Sequence, residues 1–185
     1  MNGTIVKGSL SAIATEQNMP LAETWLSVDA VILVDVSGSM SMQDEYEKTR
    51  LQLAREALEN LQNNMSGKIA LFKFSDNVKF IPNGYIAGVE GATNLTGALR
   101  YIHMADAIPD MRFILISDGQ PDRPISVLRE ARKFKNKIDV IYIGHEGGSG
   151  QKFLESLASA TGGSSKNIDA AMIESTTAKL LLEAQ

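Results

Sequence analysis

Four short apolar runs occur along the chain and predict the strands of one sheet. They lie at residues 30–36, 69–74, 113–117 and 138–143. The first and third runs read AVILVDV and FILIS, with β-branched and aromatic residues and no strict polar alternation, which is typical of strands covered on both faces. Residues 78–81 follow a polar turn and precede Pro82, so we expect them to pair back as a short antiparallel edge strand.

Between these runs the apolar residues recur at helical spacing. The longest such segment, residues 44–65, predicts an amphipathic first helix with apolar positions at Ala54, Ala57, Leu58, Leu61 and Met65. Shorter patterns predict helices at residues 95–102, 124–134 and 153–161. The second of these opens at Pro124, and the third stops at Gly162-Gly163. A last helix is expected over residues 168–182.

The alternation of strands and helices predicts an α/β protein, because parallel neighbouring strands need a helical crossover. We expect a doubly wound, mostly parallel sheet with one short antiparallel edge strand and helices on both faces. Residues 1–27 fit no element of this alternation. They are interpreted as an N-terminal extension, a short strand or helix packed on the domain formed by residues 28–185.

Composition restricts the class of protein further. The chain has 185 residues, 44% of them hydrophobic, enough for one domain with a substantial core. A net charge of -4 argues against a nucleic-acid partner, and the absence of Cys excludes thiolate zinc sites and Cys nucleophiles. No apolar stretch is long enough to span a membrane and no leader pattern is visible, so we expect a cytoplasmic protein without membrane association.

Polar side chains occur where two of the predicted strands end. Asp35 closes the first strand and is followed by Ser37 and Ser39, while Asp118 closes the run at residues 113–117. Ligands of such sheets bind at the carboxyl ends of strands, where the strand order reverses, so the two carboxylates converge if their strands are neighbours there. Thr93, in a glycine-containing loop before a helix, adds a hydroxyl at the same rim.

These five candidate ligands, Asp35, Ser37, Ser39, Thr93 and Asp118, all offer oxygen atoms, which suits a hard cation such as Mg²⁺. Three of them are neutral hydroxyls, so the charge of the ion would be incompletely compensated. An incoming Asp or Glu carboxylate is then the natural additional ligand. The pattern predicts a metal site completed by a protein ligand, with no general base beside it and hence no catalytic residue.

Three segments together resemble a known family. Asp35-Val36-Ser37-Gly38-Ser39, the Gly91-x-Thr93-Asn94-Leu95 loop and Ser117-Asp118-Gly119 are similar to the metal-ion-dependent adhesion site of von Willebrand factor type A domains. The late segment from Leu154 to Thr161-Gly162-Gly163 is similar to a helix common in that family. The likeness covers roughly residues 28–185. The third loop reads Ser-Asp-Gly where Thr-Asp-Gly is commoner.

The resemblance implies a Rossmann-like fold that binds protein ligands through a divalent ion, Mg²⁺ or else Mn²⁺ or Ca²⁺. Ser37 and Ser39 would coordinate the ion directly, and Asp35, Asp118 and Thr93 directly or through water. It also implies, for a cytoplasmic member, work as an adaptor beside an AAA-type ATPase.

Other interpretations stay open at this point. Asp35, Ser37 and Ser39 also suit a capped turn between a strand and a helix. A Mg²⁺-dependent phosphatase or phosphotransferase would use Asp35 as its nucleophile, although Ser37 stands where such enzymes need a second carboxylate. Met40 and Met42 suit either core packing or an apolar rim for a partner. The basic residues between 129 and 137 favour a solvated helix face over nucleotide or RNA binding.

Overall fold

A single mixed sheet of six strands forms the centre of the molecule. The computed structural model describes residues 4–43, 47–64, 69–119, 121, 123–144 and 147–167. The strands lie in the order β3-β2-β1-β4-β5-β6. Their bounds are β1 (Ala30–Asp35), β2 (Ile69–Phe74), β3 (Val78–Phe80), β4 (Arg112–Ser117), β5 (Ile138–Tyr142) and β6 (Ser165–Asn167).

The pairing confirms the predicted fold class. β1 is parallel to both β2 and β4, β5 is parallel to β4 and β6, and β3 is the short antiparallel edge strand beside β2. The four apolar runs correspond to the four central strands. β6 was not predicted, because its sequence Ser165-Lys166-Asn167 is polar and only half-buried at the edge of the sheet.

Six α-helices accompany the sheet within the described residues. They are α1 (Leu10–Glu16), α2 (Leu21–Trp25), α3 (Arg50–Asn64), α4 (Leu95–Ile102), α5 (Pro124–Ala131) and α6 (Ser149–Thr161). Two short 3₁₀ segments, Gly38–Ser41 and His103–Ala107, follow β1 and α4. The predicted last helix at residues 168–182 lies outside the described residues.

The first long helix begins later than the apolar pattern predicted. α3 starts at Arg50 rather than near residue 44, because Thr49 and Gln52 form a capping box. The Gln52 amide N–H donates to Thr49 Oγ1 at 3.1 Å, and the Thr49 N–H donates to Gln52 Oε1 at 2.7 Å. Ala54 and Leu58 of the predicted stripe are buried, whereas Ala57, Leu61 and Met65 lie outside the described side chains.

Two further boundaries differ by a few residues. α5 begins at Pro124 as expected but ends at Ala131, and Phe134 lies beyond it, buried against the Phe113 ring at 5.1 Å between centroids. α6 begins at Ser149, before the predicted segment, and ends where expected. Gly162 takes the left-handed conformation there, with φ of 76°, which glycine adopts without steric cost.

Side chains that alternate along the strands form two apolar layers, one on each face of the sheet. One layer joins the strands to α4, α5 and α6, and also takes in Leu10 of α1. The other joins them to α3 and to Met40 and Ile86. Because both faces are covered, the central strands read as continuous apolar runs.

The N-terminal segment contacts this framework through two short helices. Leu10 and Ile13 of α1 are buried, and the Val6 N–H donates to the Asn83 carbonyl at 2.8 Å. Trp25 of α2 packs edge-on against Phe72 of β2 and Phe80 of β3, at 5.8 and 5.3 Å between ring centroids. Within the described part of the chain, no helix has the length and apolarity needed to cross a bilayer.

Candidate metal centre

The strand order reverses between β1 and β4, and this reversal brings two carboxylates together. β1 continues through α3 to β2 on one side, and after β3 the chain returns through α4 to β4 on the other side. β1 and β4 pair in parallel up to Val34 and Ile116, so Asp35 and Ser117 are the next residues at the same edge of the sheet. Asp118 follows immediately. The predicted convergence of the two strand ends is therefore observed.

Asp35 is fully buried and both of its carboxylate oxygens accept hydrogen bonds. The Ser37 N–H donates to Oδ1 at 2.8 Å, and the Ser117 hydroxyl donates to Oδ2 at 2.7 Å. Burial raises the pKa of the Asp35 carboxyl; the hydrogen bonds from Ser117 and Ser37 oppose this rise, and the charge of Asp118 adds to it. The carboxylate is thus held in one orientation at the base of the site.

Two serine hydroxyls connect this base to Asp118. Ser37 Oγ and Ser39 Oγ are 3.2 Å apart, and Ser39 Oγ donates to Asp118 Oδ1 at 2.8 Å. The 3₁₀ turn Gly38–Ser41 directs the second serine back towards the sheet, and the Ser41 hydroxyl closes that turn on the Gly38 carbonyl at 2.7 Å. The Ser39 hydroxyl therefore lies within hydrogen-bond distance of both the Ser37 hydroxyl and the Asp118 carboxylate, and it joins the two loops.

A cation of the chain itself contacts this cluster. Arg50 Nη1 donates to Asp118 Oδ2 at 2.6 Å, with the Arg50 side chain 13% exposed and that of Asp118 fully buried. Arg50 is held there because Gln43 and Thr49 form an antiparallel bridge and the Arg50 N–H donates to the Met42 carbonyl at 3.0 Å. The guanidinium compensates the charge of Asp118 and leaves Asp35 with hydroxyl and amide partners.

Tyr142, at the end of β5, is near the same charges. Burial raises the pKa of its phenol, the Arg50 charge lowers it and the Asp118 charge raises it. The end of β5 therefore lies within electrostatic range of Arg50 and Asp118.

The loop that carries Thr93 runs beside the two serines. The Glu90 N–H donates to the Val36 carbonyl at 2.7 Å, and the Gly38 N–H donates to the Gly91 carbonyl at 3.2 Å. Thr93 itself is half-buried two residues after Gly91. The contacts thus place its loop against the loop that follows β1.

Asp76 and Asn94 make this loop rigid. The Ala92 N–H donates to Asp76 Oδ1 at 3.3 Å, and Asn94 caps α4 by accepting from the Gly97 N–H at 3.0 Å. Gly91 has φ of 46°, a conformation that favours glycine, and a Cβ there would displace the Asp76 carboxylate that holds the Ala92 N–H. The backbone on either side of Thr93 is held from both ends.

Four of the five predicted ligands form one chain of contacts in the structure: Asp35 with Ser37, Ser37 with Ser39, and Ser39 with Asp118. Thr93 is placed in the adjacent loop, and coordination of an ion by these residues stays a prediction. Sequence reasoning did not assign a role to Ser117 or Arg50. The sequence does mark both residues as unusual. Ser117 is the polar end of an otherwise apolar strand, and Arg50 is a cation in the first turn of a helix, where the helix dipole disfavours it.

The oxygen spacings are those of hydrogen bonds, and they also place these atoms close enough together to be neighbouring ligands of a small hard cation. With Mg²⁺–oxygen distances of about 2.0–2.1 Å, adjacent ligands of an octahedral ion lie about 2.9 Å apart. The Ser37–Ser39 and Ser39–Asp118 separations of 3.2 and 2.8 Å lie close to this value. Among the described residues, no group of three or more Asp, Glu or His side chains is placed to hold a metal.

Exposed apolar side chains lie on or just after each loop that bears the site. Met42 follows the serine loop and is 56% exposed, and Ile125 follows the Asp118 loop and is 86% exposed. Val89, in the loop before Thr93, is 39% exposed. Of the two methionines considered for a partner surface, Met40 is buried in the core beneath the site and only Met42 faces solvent.

Comparison with known proteins agrees with this geometry. Residues 30–120 match the sequence model of the von Willebrand factor type A domain, and no curated protein sequence matches the chain. Among solved structures, a von Willebrand factor type A protein from Catenulispora acidiphila has 19% identity and a TM-score of 0.69 over 85% of this chain. This chain spans only 43% of that protein.

Two other structures share the fold. The conserved hypothetical protein BatB from Bacteroides thetaiotaomicron has 15% identity and a TM-score of 0.62, with 84% of this chain and 97% of that chain covered. Proximal thread matrix protein 1 from the mussel byssus, in a structure with a zinc-occupied adhesion-site motif, has 16% identity and a TM-score of 0.58 over 94% of this chain and 51% of its own. The match over residues 30–120 and the shared sheet show that this chain is similar to von Willebrand factor type A domains and has their fold; domains of that class in general mediate metal-dependent protein interactions.

Proposed function

We propose that this protein is a divalent-metal-dependent interaction domain in which an Asp or Glu of a protein partner completes the coordination of an ion. The observation that carries the proposal is the meeting of Ser37, Ser39 and Asp118 oxygens at the switch point of the sheet, above the buried Asp35. Mg²⁺ is the ion we expect, with Mn²⁺ or Ca²⁺ as substitutes, because every candidate ligand is an oxygen.

Each residue of the site would contribute to ion binding in a different way. Ser37 and Ser39 offer neutral oxygens, Asp118 offers a charge that it now shares with Arg50, and Asp35 orients the serine loop through its bond to the Ser37 N–H. Thr93 adds a hydroxyl from the neighbouring loop. A bound Mg²⁺ would act as a Lewis acid towards an external carboxylate. Since the chain supplies few charges, such a carboxylate gains more here than it would at a site with many carboxylates.

A protein partner is favoured over a small molecule by the surroundings of the site. Met42 and Val89 expose apolar surface on the loops that carry the serines and Thr93, and Ile125 does so in the first turn of α5, after the Asp118 loop. Exposed apolar side chains beside a polar centre suit the core and rim arrangement of protein interfaces. A small hydrophilic ligand would leave these side chains in water.

The finer role follows from the family resemblance. Cytoplasmic members of the family that work beside AAA-type ATPases act as substrate or target adaptors, and we propose this role and a cytoplasmic location for the chain. Binding of an AAA-type ATPase in Mg²⁺, released by EDTA, would support it. Exclusive capture of surface proteins would contradict it.

The environment of Asp35 argues against the alternative of a phosphatase. A carboxylate nucleophile must reach the phosphorus atom, whereas Asp35 is fully buried and both oxygens accept hydrogen bonds from Ser37 and Ser117. Position 37 is also Ser where such enzymes carry a second acid. Phosphomonoester turnover that disappears in Asp35→Asn would reverse this conclusion.

The proposal is tested by Mg²⁺ binding to the purified protein. Isothermal titration is expected to detect binding that Ser39→Ala weakens, because this change removes one ligand oxygen without altering charge. Asp118→Asn should abolish binding, and Glu16→Gln, an isosteric change at an exposed position of α1, should leave it unchanged. Circular dichroism checks that each variant is folded. Equal Mg²⁺ binding by all four proteins would refute the proposal.

A further inference from the structure

A pocket of about 460 Å³ opens beside the metal centre, between α4 and α5. Its polar lining consists mainly of hydroxyl and guanidinium groups, from Thr93, Thr96, Ser126, Arg100, Arg123 and Arg129. Thr93 is also the predicted loop ligand of the ion. The pocket therefore begins at the loop of Thr93 and extends along α4 and α5 to Arg100 and Arg129.

The charge of this pocket is positive within the described residues. No Asp or Glu lines it, whereas three arginines do. Arg100 is already engaged, because its Nη2 donates to Glu130 Oε1 at 2.9 Å. Arg123 and Arg129 are exposed and form no ion pair in the described part of the chain. Two guanidinium groups are thus available to a ligand.

We infer that this pocket is a second anion subsite, which takes a second acidic side chain from the partner segment whose first carboxylate reaches the ion. The inference rests on the proposed function for that first contact. Arg123 and Arg129 would pair with the second carboxylate, and Thr96 and Ser126 would donate hydroxyl hydrogen bonds. Guanidinium groups can match carboxylates in a planar, bidentate manner. Arg100 shows that arginines of this pocket bind a carboxylate, with one bond to Glu130.

An acidic protein segment fits better than a free inorganic anion. Ile125, 86% exposed, lies between Arg123 and the pocket-lining Ser126 in sequence, so apolar surface adjoins the charged groups. A peptide covers such surface, while a small anion leaves it in water. The partner is therefore a segment with two acidic residues, one at the ion and one at the arginines.

The test uses fluorescein-labelled Gly-Ser peptides that carry two glutamates separated by about one to four residues, which spans roughly 7–17 Å of extended chain. Peptides with one glutamate serve as references. Anisotropy titrations are made in Mg²⁺ and in EDTA. The variant is Arg123→Gln with Arg129→Gln, and its matched control is Arg132→Gln with Lys135→Gln, two exposed positions near α5 outside this pocket.

In Mg²⁺, the best peptide with two glutamates should bind about tenfold more tightly than its single-glutamate reference, a ratio expected from one added charge-assisted contact. The Arg123 and Arg129 variant should lose this ratio, with single-glutamate binding unchanged, and the control should keep it. Equal binding of the two peptide types, equal loss in the control, or no peptide binding at all would overturn the subsite.

The titrations in Mg²⁺ and in EDTA, together with the two variants, distinguish a failure of this inference from a failure of the proposed function. Binding that depends on Arg123 and Arg129 but is identical in Mg²⁺ and EDTA would refute the metal-dependent function and retain the arginine subsite. Binding that depends on Mg²⁺ but not on the arginines would refute the arginine subsite and retain the metal-dependent function. A peptide with phosphoserine in place of the second glutamate tests the anion: tighter, arginine-dependent binding of that peptide would overturn the carboxylate assignment.

Discussion

Replacement of Arg50 by Gln is expected to strengthen divalent-ion binding and to lower the free energy of unfolding of the metal-free protein. Arg50 contacts Asp118 at 2.6 Å, and any ion that uses this carboxylate must compete with the guanidinium or share it. The substitution removes a positive charge from the site, so an incoming cation meets less repulsion and a less occupied ligand.

The size of the effect follows from the burial of the pair. Opposite charges about 4 Å apart interact by about 4 kcal/mol at an effective dielectric constant of about 20. Removal of one partner of a buried pair lowers the free energy of unfolding by about 3–5 kcal/mol. Because the Arg50 side chain is 13% exposed, we expect a loss of about 1–3 kcal/mol here. If most of that energy returns when an ion binds, the dissociation constant falls by about 10- to 100-fold.

The assay is calorimetric titration of Mg²⁺, together with urea denaturation in EDTA and in saturating Mg²⁺. Arg50→Gln should be less stable than the parent protein in EDTA and should recover most of the difference in Mg²⁺. Lys48→Gln is the control, because it removes the same charge from the same segment at an exposed pair with Glu56. Mg²⁺ affinity in Arg50→Gln no greater than in Lys48→Gln would refute the reasoning.

Three further changes test other contacts. Ser117→Ala removes a hydroxyl donor from the buried Asp35 carboxylate and should cost about 1–3 kcal/mol in urea denaturation, whereas unchanged stability would contradict the assigned contact. Hydrogen bonds from Arg100 and from Lys133 together lower the pKa of Glu130 from 4.5 to about 2, so the contribution of these contacts is present above the ordinary pKa and is lost as pH falls from about 4.5 towards 2. The stability difference between the parent protein and Glu130→Gln, at most about 1 kcal/mol since Arg100 is exposed, should therefore shrink over that interval in pH-dependent urea titrations; a constant difference would argue against the pair. Trp25→Ala removes the ring that packs edge-on against β2 and β3 and should cost about 2–3 kcal/mol by circular dichroism melts; no loss would show that the N-terminal helices add little to the fold.

The sheet was predictable because its central strands are covered on both faces and are therefore apolar throughout. The edge strand β6 was not, since Ser165, Lys166 and Asn167 give no apolar signal and their pairing depends on the position of β5. The start of α3 was readable in principle from Thr49 and Gln52, but the apolar period alone extends past that boundary.

Part of the candidate site was likewise predictable from the sequence and part was not. Asp35, Ser37 and Ser39 lie within one short motif, so local sequence is enough to group them. The contact between Arg50 and Asp118 joins residues 68 positions apart and depends on the bridge that precedes α3. No local pattern specifies such a pairing, although an arginine in the first helical turn indicates that something other than the helix dipole holds it.

The contact between Ser39 and Asp118 spans 79 positions of the chain, because β4 must pair with β1 before the two loops meet. During synthesis, a nascent chain that has emerged only as far as β2 therefore contains the serine motif without its distant carboxylate. If Mg²⁺ binds as proposed, its binding at this edge requires that β4 has already paired with β1, and it would stabilise the complete fold relative to shorter nascent chains.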